Sequence, residues 1–176
     1  MRESRKRQRD VFRILFVCTG NTCRSPMAKG ILRKLLRPEL LRRAEVDSAG
    51  VSAVDGARAS EGAVDAAAAR GVDISGHTAK RLTPALIRRA DLILVMQRAH
   101  MRRVLETCPS KTEHVMLLTE LGEPHGRSGE DIADPAGGNA DVYQRCYSQM
   151  EICLARGEQF LTDLITATED SGEGTE

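Results

Sequence analysis

Two short runs in the chain are apolar at nearly every position. They read Ile-Leu-Phe-Val at residues 14–17 and Leu-Ile-Leu-Val-Met at residues 92–96. A strand with one face in water alternates apolar and polar side chains, whereas a strand buried on both faces is apolar throughout. The two runs therefore predict strands at the centre of a parallel sheet that helices cover on both sides.

The segments around these runs predict an alternating order of strands and helices. Short apolar runs predict four strands, at residues 13–17, 45–48, 91–96 and 114–118. Helical periodicity and cap residues predict five helices: one capped by Ser25 with Pro26 as its first residue, one over residues 61–70, one from Thr83-Pro84, one over residues 97–106 and one over residues 141–165. This order predicts the α/β class, with a small doubly wound sheet of four parallel strands flanked by helices.

Length and charge limit the organisation and the partners. A chain of 176 residues is most simply one domain, which we expect over residues 11–166. Residues 1–10 read as a disordered basic arm and residues 167–176 as a disordered acidic tail. The net charge of +1, with three Phe, two Tyr and no Trp, gives no overall basis for nucleic-acid binding. No apolar run is long enough to cross a membrane, so we expect no membrane partner.

Cysteine and histidine spacing gives no sign of a metal site. The five cysteines are an odd number and form no C-x2-C array, which argues against a disulfide framework or a zinc site and favours a reducing cytoplasm. His100, His114 and His125 likewise lack the spacing of metal ligands. We expect a cytoplasmic monomer that needs no metal or other cofactor.

The segment after the first strand predicts an anion site. Residues 18–26 read Cys-Thr-Gly-Asn-Thr-Cys-Arg-Ser-Pro. Ligands of such sheets bind beyond the carboxyl ends of the strands, where the turn amides and the next helix N-terminus can meet an anion. Gly20 and Asn21 tolerate the unusual backbone angles that such a loop requires. No Gly-Lys-Ser/Thr follows the glycine, so this is not a nucleotide-binding Walker loop.

The loop also carries a nucleophile and a matching cation. A helix N-terminus and Arg24 both favour the thiolate form of Cys18. The guanidinium of Arg24 suits two phosphate oxygens, and Ser25 can donate to the thiolate when it leaves. A thiolate below a bound phosphoryl group is arranged for covalent phosphoryl transfer.

These residues resemble the C-x5-R-S signature of the low-molecular-weight protein tyrosine phosphatase family, which stands near the N-terminus of its members. The likeness covers roughly residues 13–166 and continues through four further motifs: Ser-Ala-Gly at 48–50, Gly-Val-Asp-Ile-Ser-Gly-His at 71–77, Asp-Leu-Ile-Leu-Val-Met at 91–96 with His100, and Asp-Pro at 134–135. The resemblance implies a flavodoxin-like fold and a phosphatase that acts on phosphorylated proteins through a phosphocysteine. The implied phosphate-binding loop consists of Thr19, Gly20, Asn21, Thr22, Cys23 and Ser25.

The general acid and the supporting residues come from the resemblance. Composition alone leaves five acids open in the long loop before the last helix: Glu120, Glu123, Glu130, Asp131 and Asp134. In the family the Asp of Asp-Pro protonates the leaving group and then activates water, which implies Asp134. The resemblance also implies that Asn21, Ser48 and His77 form the polar network that holds the loop in shape.

Three substrates stay open at this stage: phosphoarginine, phosphotyrosine and, in the next paragraph, arsenate. Tyrosine phosphatases of the family usually carry a larger aliphatic residue at Thr22 and aromatic residues after Asp-Pro, whereas here Ala136 and two glycines follow. The loop sequence with D-P-x-G-G resembles the protein-arginine phosphatase branch more closely, although that branch tends to have an aromatic at Ala136. We expect phosphoarginine, selected by Thr22 and Ala136, with phosphotyrosine as the alternative.

Arsenate reduction and simple binding are weaker alternatives. Thioredoxin-linked arsenate reductases share the scaffold and D-P-A-G, but they need two relay cysteines after the third strand, and only Cys108 lies near that position. A binding module without activity is disfavoured because Cys18, Arg24 and Asp134 are all present. Cys23, five residues from the nucleophile, is predicted to protect Cys18 from irreversible oxidation by forming a disulfide.

Overall fold

The structure, a computed structural model, describes residues 11–123 and 129–167. The predicted basic arm, His125 and residues 168–176 of the predicted acidic tail lie outside the described residues. Within the described part, no helix has the length and apolar character needed to cross a membrane.

Four parallel strands form one sheet, as predicted. They are β1 (Phe12–Cys18), β2 (Ala44–Gly50), β3 (Leu92–Val95) and β4 (Val115–Leu117). Their order is β2-β1-β3-β4, so the two strands that contain the continuous apolar runs lie at its centre. The chain leaves β1 towards one edge of the sheet and later returns to β3 on the other side of β1. A crevice therefore opens where β1 and β3 end, which is the usual ligand position in such sheets.

Seven α-helices and two 3₁₀ turns surround the sheet within the described residues. The helices are α1 (Arg24–Leu35), α2 (Pro38–Leu41), α3 (Glu61–Ala68), α4 (Pro84–Arg89), α5 (Arg98–Thr107), α6 (Ala140–Arg156) and α7 (Glu158–Ala167). The 3₁₀ turns are Pro109–His114 and Leu118–Glu120. The short helix α2 was not among the predicted elements.

Two predicted helix boundaries are wrong. Helix α1 begins at Arg24 with Cys23 as its N-cap, not with Ser25 as its cap, because the Ser25 hydroxyl is hydrogen-bonded to the side chains of Cys18 and Asn21 instead. The predicted long helix over residues 141–165 is two helices that part at Gly157, where φ is −86° and ψ is 2°. Leu121 packs so close to Gly157 that a Cβ atom there would overlap its side chain.

The side chains of β1 alternate between two cores. Ile14 and Phe16 belong to the larger core, which α1, α3, α6 and α7 cover. Leu15 and Val17 belong to the smaller core on the other face of the sheet, under α4 and α5. Burial on both faces explains why residues 14–17 of this strand are all apolar, and it holds the carboxyl end of the strand in a defined place.

Candidate active site

Cys18 is the last residue of β1 and its side chain is buried, with 2% of its surface exposed. The backbone N–H of Asn21 donates to Cys18 Sγ over 3.3 Å, and Ser25 Oγ lies 2.9 Å from the same sulfur. Donors at these positions stabilise a thiolate. The sulfur also faces the N-terminus of α1, whose dipole acts in the same direction.

Asn21 gives the loop its shape. Its φ of 55° lies in the left-handed region, whereas Gly20 has no positive φ, so the expectation that Gly20 supplies an unusual backbone angle is wrong. The Asn21 side chain donates to Ser25 Oγ over 2.8 Å and to Ser48 Oγ over 3.0 Å. It accepts the backbone N–H of Lys80 over 2.9 Å. An asparagine tolerates this conformation when its short side chain is bonded locally, and here every polar atom of the amide has a partner.

His77 completes the support of this residue from the other side. Its Nε2 donates to the backbone carbonyl of Asn21 over 2.7 Å. Burial is the main reason why the pKa of His77 lies below its usual value. The structure thus places Asn21, Ser48 and His77 in one connected network, although their functional role stays a prediction.

Arg24 lies beneath the loop with 1% of its surface exposed. Its Nη1 donates to the carbonyl of Ile132 over 2.9 Å, and its Nη2 donates to Asp134 Oδ2 over 2.6 Å. Its Nε is buried and has no hydrogen-bond partner among the described residues. Because a buried donor without a partner is costly, this nitrogen is a ready binding group for an anion in the loop.

Among the five candidate acids, as far as the structure describes them, Asp134 is the one that contacts Arg24. Its side chain is 42% exposed, and its Oδ1 accepts the backbone N–H of Ala136 over 3.2 Å. Asp131 accepts the backbone N–H of Arg98, and Glu120 accepts that of Leu117, so these carboxylates serve nearby turns. The structure therefore brings Cys18, Arg24 and Asp134 together, while Ala136 is exposed just beyond.

Cys23 faces away from the exposed side of the loop. Its Sγ lies 3.0 Å from Ser60 Oγ and 3.7 Å from the hydroxyl of Tyr143. The backbone N–H of Ser60 also donates to the carbonyl of Thr22 over 2.9 Å, so the start of α3 is tied to the loop. Burial raises the pKa of Tyr143 above its usual value. Sequence reasoning missed Ser60 and Tyr143, since no local pattern links them to Cys23.

His100 is a second contact that sequence reasoning missed. Its Nε2 lies 2.9 Å from Thr19 Oγ1, which also accepts a long hydrogen bond of 3.4 Å from Arg24 Nη2. His100 was noted as part of one of the motifs shared with the family, but the motif did not indicate what the residue does. Its position shortly after β3 could have indicated the contact. Because β3 pairs directly with β1, the segments that follow the two strands are neighbours.

The remaining cysteines and acids form no further centre in the described residues. No group of three or more His, Cys, Asp or Glu side chains there is placed to hold a metal ion. Burial raises the pKa of Cys146 to about 12, and it also raises the pKa of Cys153. An anion-binding loop with a cysteine at its base, an arginine beneath it and a carboxylate at its rim is suited to phosphoryl transfer.

Comparison with known proteins agrees with this class of site. The model of the low molecular weight phosphotyrosine protein phosphatase family matches residues 13–167. The chain therefore belongs to this family, and the prediction of a low-molecular-weight protein phosphatase is confirmed. The probable low molecular weight protein-tyrosine-phosphatase EpsP of Ralstonia solanacearum is 45% identical over 122 residues, which are 69% of this chain and 77% of that protein.

Arginine phosphatases are also among the similar proteins. The protein-arginine-phosphatase of Geobacillus stearothermophilus is 37% identical over 145 residues, which are 82% of this chain and 93% of that protein. The solved structure of the YwlE arginine phosphatase from the same organism matches with a TM-score of 0.77 and 34% identity, and the match covers 93% of this chain and 99% of that chain.

Proposed function

We propose that this phosphatase hydrolyses phosphoarginine on proteins, through a phosphocysteine formed on Cys18. The observation that carries the proposal is the rim of the site. Thr22 is the half-buried side chain within the loop, and the turn after Asp134 contains Ala136 and two glycines instead of aromatic residues. Such a rim gives a phenyl ring no aromatic partner, whereas a hydroxyl can meet a polar guanidinium.

The first chemical step transfers the phosphoryl group to the enzyme. The loop amides and the buried Nε of Arg24 bind the phosphoryl oxygens, which compete with Asp134 for the N–H groups of Arg24. Asp134, no longer paired with Arg24, takes up a proton from solvent and faces the leaving group. The thiolate of Cys18 attacks phosphorus, the bond from phosphorus to the arginine nitrogen breaks, and Asp134 gives its proton to that nitrogen.

The second step returns the enzyme to its starting state. The carboxylate of Asp134 takes a proton from water as the water oxygen attacks phosphorus. The sulfur–phosphorus bond breaks, phosphate is released, and the departing thiolate of Cys18 is stabilised by Ser25, whose Oγ lies 2.9 Å from the sulfur. Asp134 gives one proton in the first step and takes one in the second, so the two steps balance without a metal or a redox partner.

Two substitutions at Thr22 test the substrate assignment. Thr22→Val keeps the branched shape and removes the hydroxyl, and Thr22→Ile adds one methylene to that apolar side chain. We expect kcat/KM for phosphoarginine to fall about tenfold in Thr22→Val, because a polar contact to the substrate is lost. Thr22→Ile should show a similar loss and a gain with phosphotyrosine.

The parent and a matched control decide the result. Thr112 lies on the 3₁₀ turn Pro109–His114, and its hydroxyl bonds the carbonyl of Pro109, so Thr112→Val should leave both substrates unaffected. The parent should prefer phosphoarginine in kcat/KM. A parent that prefers phosphotyrosine, with both Thr22 variants unchanged, would refute the arginine assignment.

Phosphotyrosine is the second candidate substrate. The identity of 45% to EpsP, whose name describes it as a probable tyrosine phosphatase, favours this candidate. The same pair of assays distinguishes it, since phosphorus is bonded to a guanidinium nitrogen in one substrate and to a phenol oxygen in the other. The cytoplasmic location and the monomeric state remain predictions, and so does the action on whole phosphorylated proteins.

Arsenate reduction has less support than either phosphatase reaction. The relay of these reductases needs two cysteines after the third strand. Only Cys108 lies near that position, and it is buried in the smaller core, on the opposite face of the sheet from Cys18. The raised pKa values of Cys146 and Cys153, caused by burial, make both of them poor nucleophiles.

A further inference from the structure

His100 lies at the junction of the two central strands, outside the motif that supplies the chemistry. It is in the first turn of α5, directly after β3, and 2% of its surface is exposed. Its Nε2 meets Thr19 Oγ1 at 2.9 Å. Thr19 follows the nucleophile Cys18 in the chain, so this contact joins the carboxyl ends of β1 and β3.

The surroundings of His100 specify where its proton lies. The other ring nitrogen, Nδ1, is buried and has no hydrogen-bond partner among the described residues. A proton on Nδ1 would be a buried N–H without an acceptor, which is costly. A proton on Nε2 can be donated to Thr19 Oγ1. The neutral ring with its proton on Nε2 therefore fits the site best.

This proton position determines what Thr19 can do. Thr19 Oγ1 also accepts from Arg24 Nη2 over 3.4 Å. A hydroxyl has two lone pairs and one hydrogen, so both acceptor positions are occupied when His100 and Arg24 donate. The oxygen is then held between the two donors and cannot rotate away from Arg24.

The hydrogen bonds to Thr19 matter most when the ion pair between Asp134 and Arg24 is broken. In this structure the Nη2 of Arg24 contacts Asp134 as well as Thr19, and its Nη1 contacts the carbonyl of Ile132. A phosphoryl group that displaces Asp134 leaves the Thr19 and Ile132 contacts to hold the guanidinium in its orientation. An arginine fixed in this way binds an anion without first losing its own rotational freedom.

We propose that His100 is a positioning residue, which acts through Thr19 to hold the Arg24 guanidinium ready for the phosphoryl group. The proposal rests on the proposed function for the identity of the anion. Burial, and after it the charge of Arg24, lowers the pKa of His100 to about 4, while the charges of Asp131 and Asp134 only partly offset this shift. This pKa agrees with a neutral ring.

The test measures the binding of inorganic phosphate to the full chain by calorimetry, separately from turnover. His100→Leu should weaken phosphate binding about tenfold, and Thr19→Val should weaken it to a similar extent. His100→Gln carries an amide donor at the reach of Nε2 and should stay within about twofold of the parent. His114→Leu, which removes an exposed histidine at the opposite end of the sheet, is the control and should bind like the parent.

The double variant distinguishes positioning from a general structural effect. Because both residues act through one contact, His100→Leu with Thr19→Val should bind no more weakly than the worse single variant. Losses that multiply, or parent-like binding in His100→Leu, overturn the proposal. If His100→Leu does not fold, Thr19→Val with parent-like binding overturns it instead. Phosphate binding without hydrolysis by the parent would count against the proposed function alone.

Discussion

Burial of His100 should make the protein lose stability as the pH falls from neutral. Burial, followed by the charge of Arg24, lowers the pKa of this ring from its ordinary value of 6.5 to about 4. In the unfolded chain the ring is exposed to water and accepts a proton near its ordinary pKa. Between these two values the unfolded state therefore binds one more proton than the folded state, and acid favours unfolding.

The size of the effect follows from the two pKa values. The folded state has its full advantage above the unfolded value and loses it as the pH falls towards about 4. The gap between 6.5 and about 4 corresponds to about 3 kcal/mol of unfolding free energy. At about pH 4.5 most of this amount, about 2.5 kcal/mol, has been lost.

Urea unfolding followed by circular dichroism can isolate this contribution. The parent and His100→Gln should be compared at about pH 7.5 and about pH 4.5, because all other titrating groups are shared and cancel in the difference. We expect the parent to lose about 2.5 kcal/mol more than the variant over this range. His114→Gln controls for the loss of a histidine elsewhere and should follow the parent. Equal pH dependence in the parent and His100→Gln would refute the reasoning.

Three further predictions concern the site itself. Cys18→Ser should abolish turnover but still bind phosphate in calorimetry, because it removes the nucleophile and keeps the loop; full activity would contradict the mechanism. Asp134→Ala should slow turnover by about 10²–10⁴-fold with the largest effect on poor leaving groups, which steady-state rates over a leaving-group series can show. Mild peroxide should produce a Cys18–Cys23 disulfide, which peptide mapping can detect and a dithiol should reverse. The activity of Cys23→Ser should recover poorly after this treatment, and recovery equal to that of the parent would contradict the protective role of Cys23.

The parts of the fold that local patterns control could be predicted from sequence. The continuous apolar runs at residues 14–17 and 92–96 predicted the two central strands because burial on both faces permits no polar position. The loop from Cys18 and the helix after it follow from the same local chemistry. The candidate anion-binding loop consists of contiguous residues, so its place between β1 and α1 could be predicted from the local sequence.

Predictions failed where a distant residue changed the local preference. Ser25 is a good cap in isolation, but in the fold its hydroxyl contacts Cys18 and Asn21. The long helical pattern at the C-terminus did not reveal that Leu121 would pack against Gly157. Of the two residues expected to take an unusual backbone angle, Asn21 does and Gly20 does not. The amide of Asn21 has partners on three neighbouring segments, which no local pattern showed.

Contacts between residues far apart in sequence were beyond local reasoning. The bond between Thr19 and His100 joins positions that are 81 residues apart. Ser60, which precedes α3, and Tyr143 of α6 both contact Cys23, and neither carries a motif of its own. These contacts depend on the order in which the strands pair, which composition and periodicity do not specify.

Trapping the reaction intermediate tests the central claim most directly. The chain should be mixed rapidly with an excess of phosphoarginine peptide and quenched, and its peptides should then be analysed by mass spectrometry. Asp134→Ala is the form of choice, because it should also slow the attack of water on the intermediate. We expect one added phosphoryl group on the peptide that carries Cys18, and none on that peptide in Cys18→Ala/Asp134→Ala, because alanine has no atom that can accept the group. Turnover of the peptide without phosphorylation of Cys18, or a phosphoryl group on another residue, would contradict the claim.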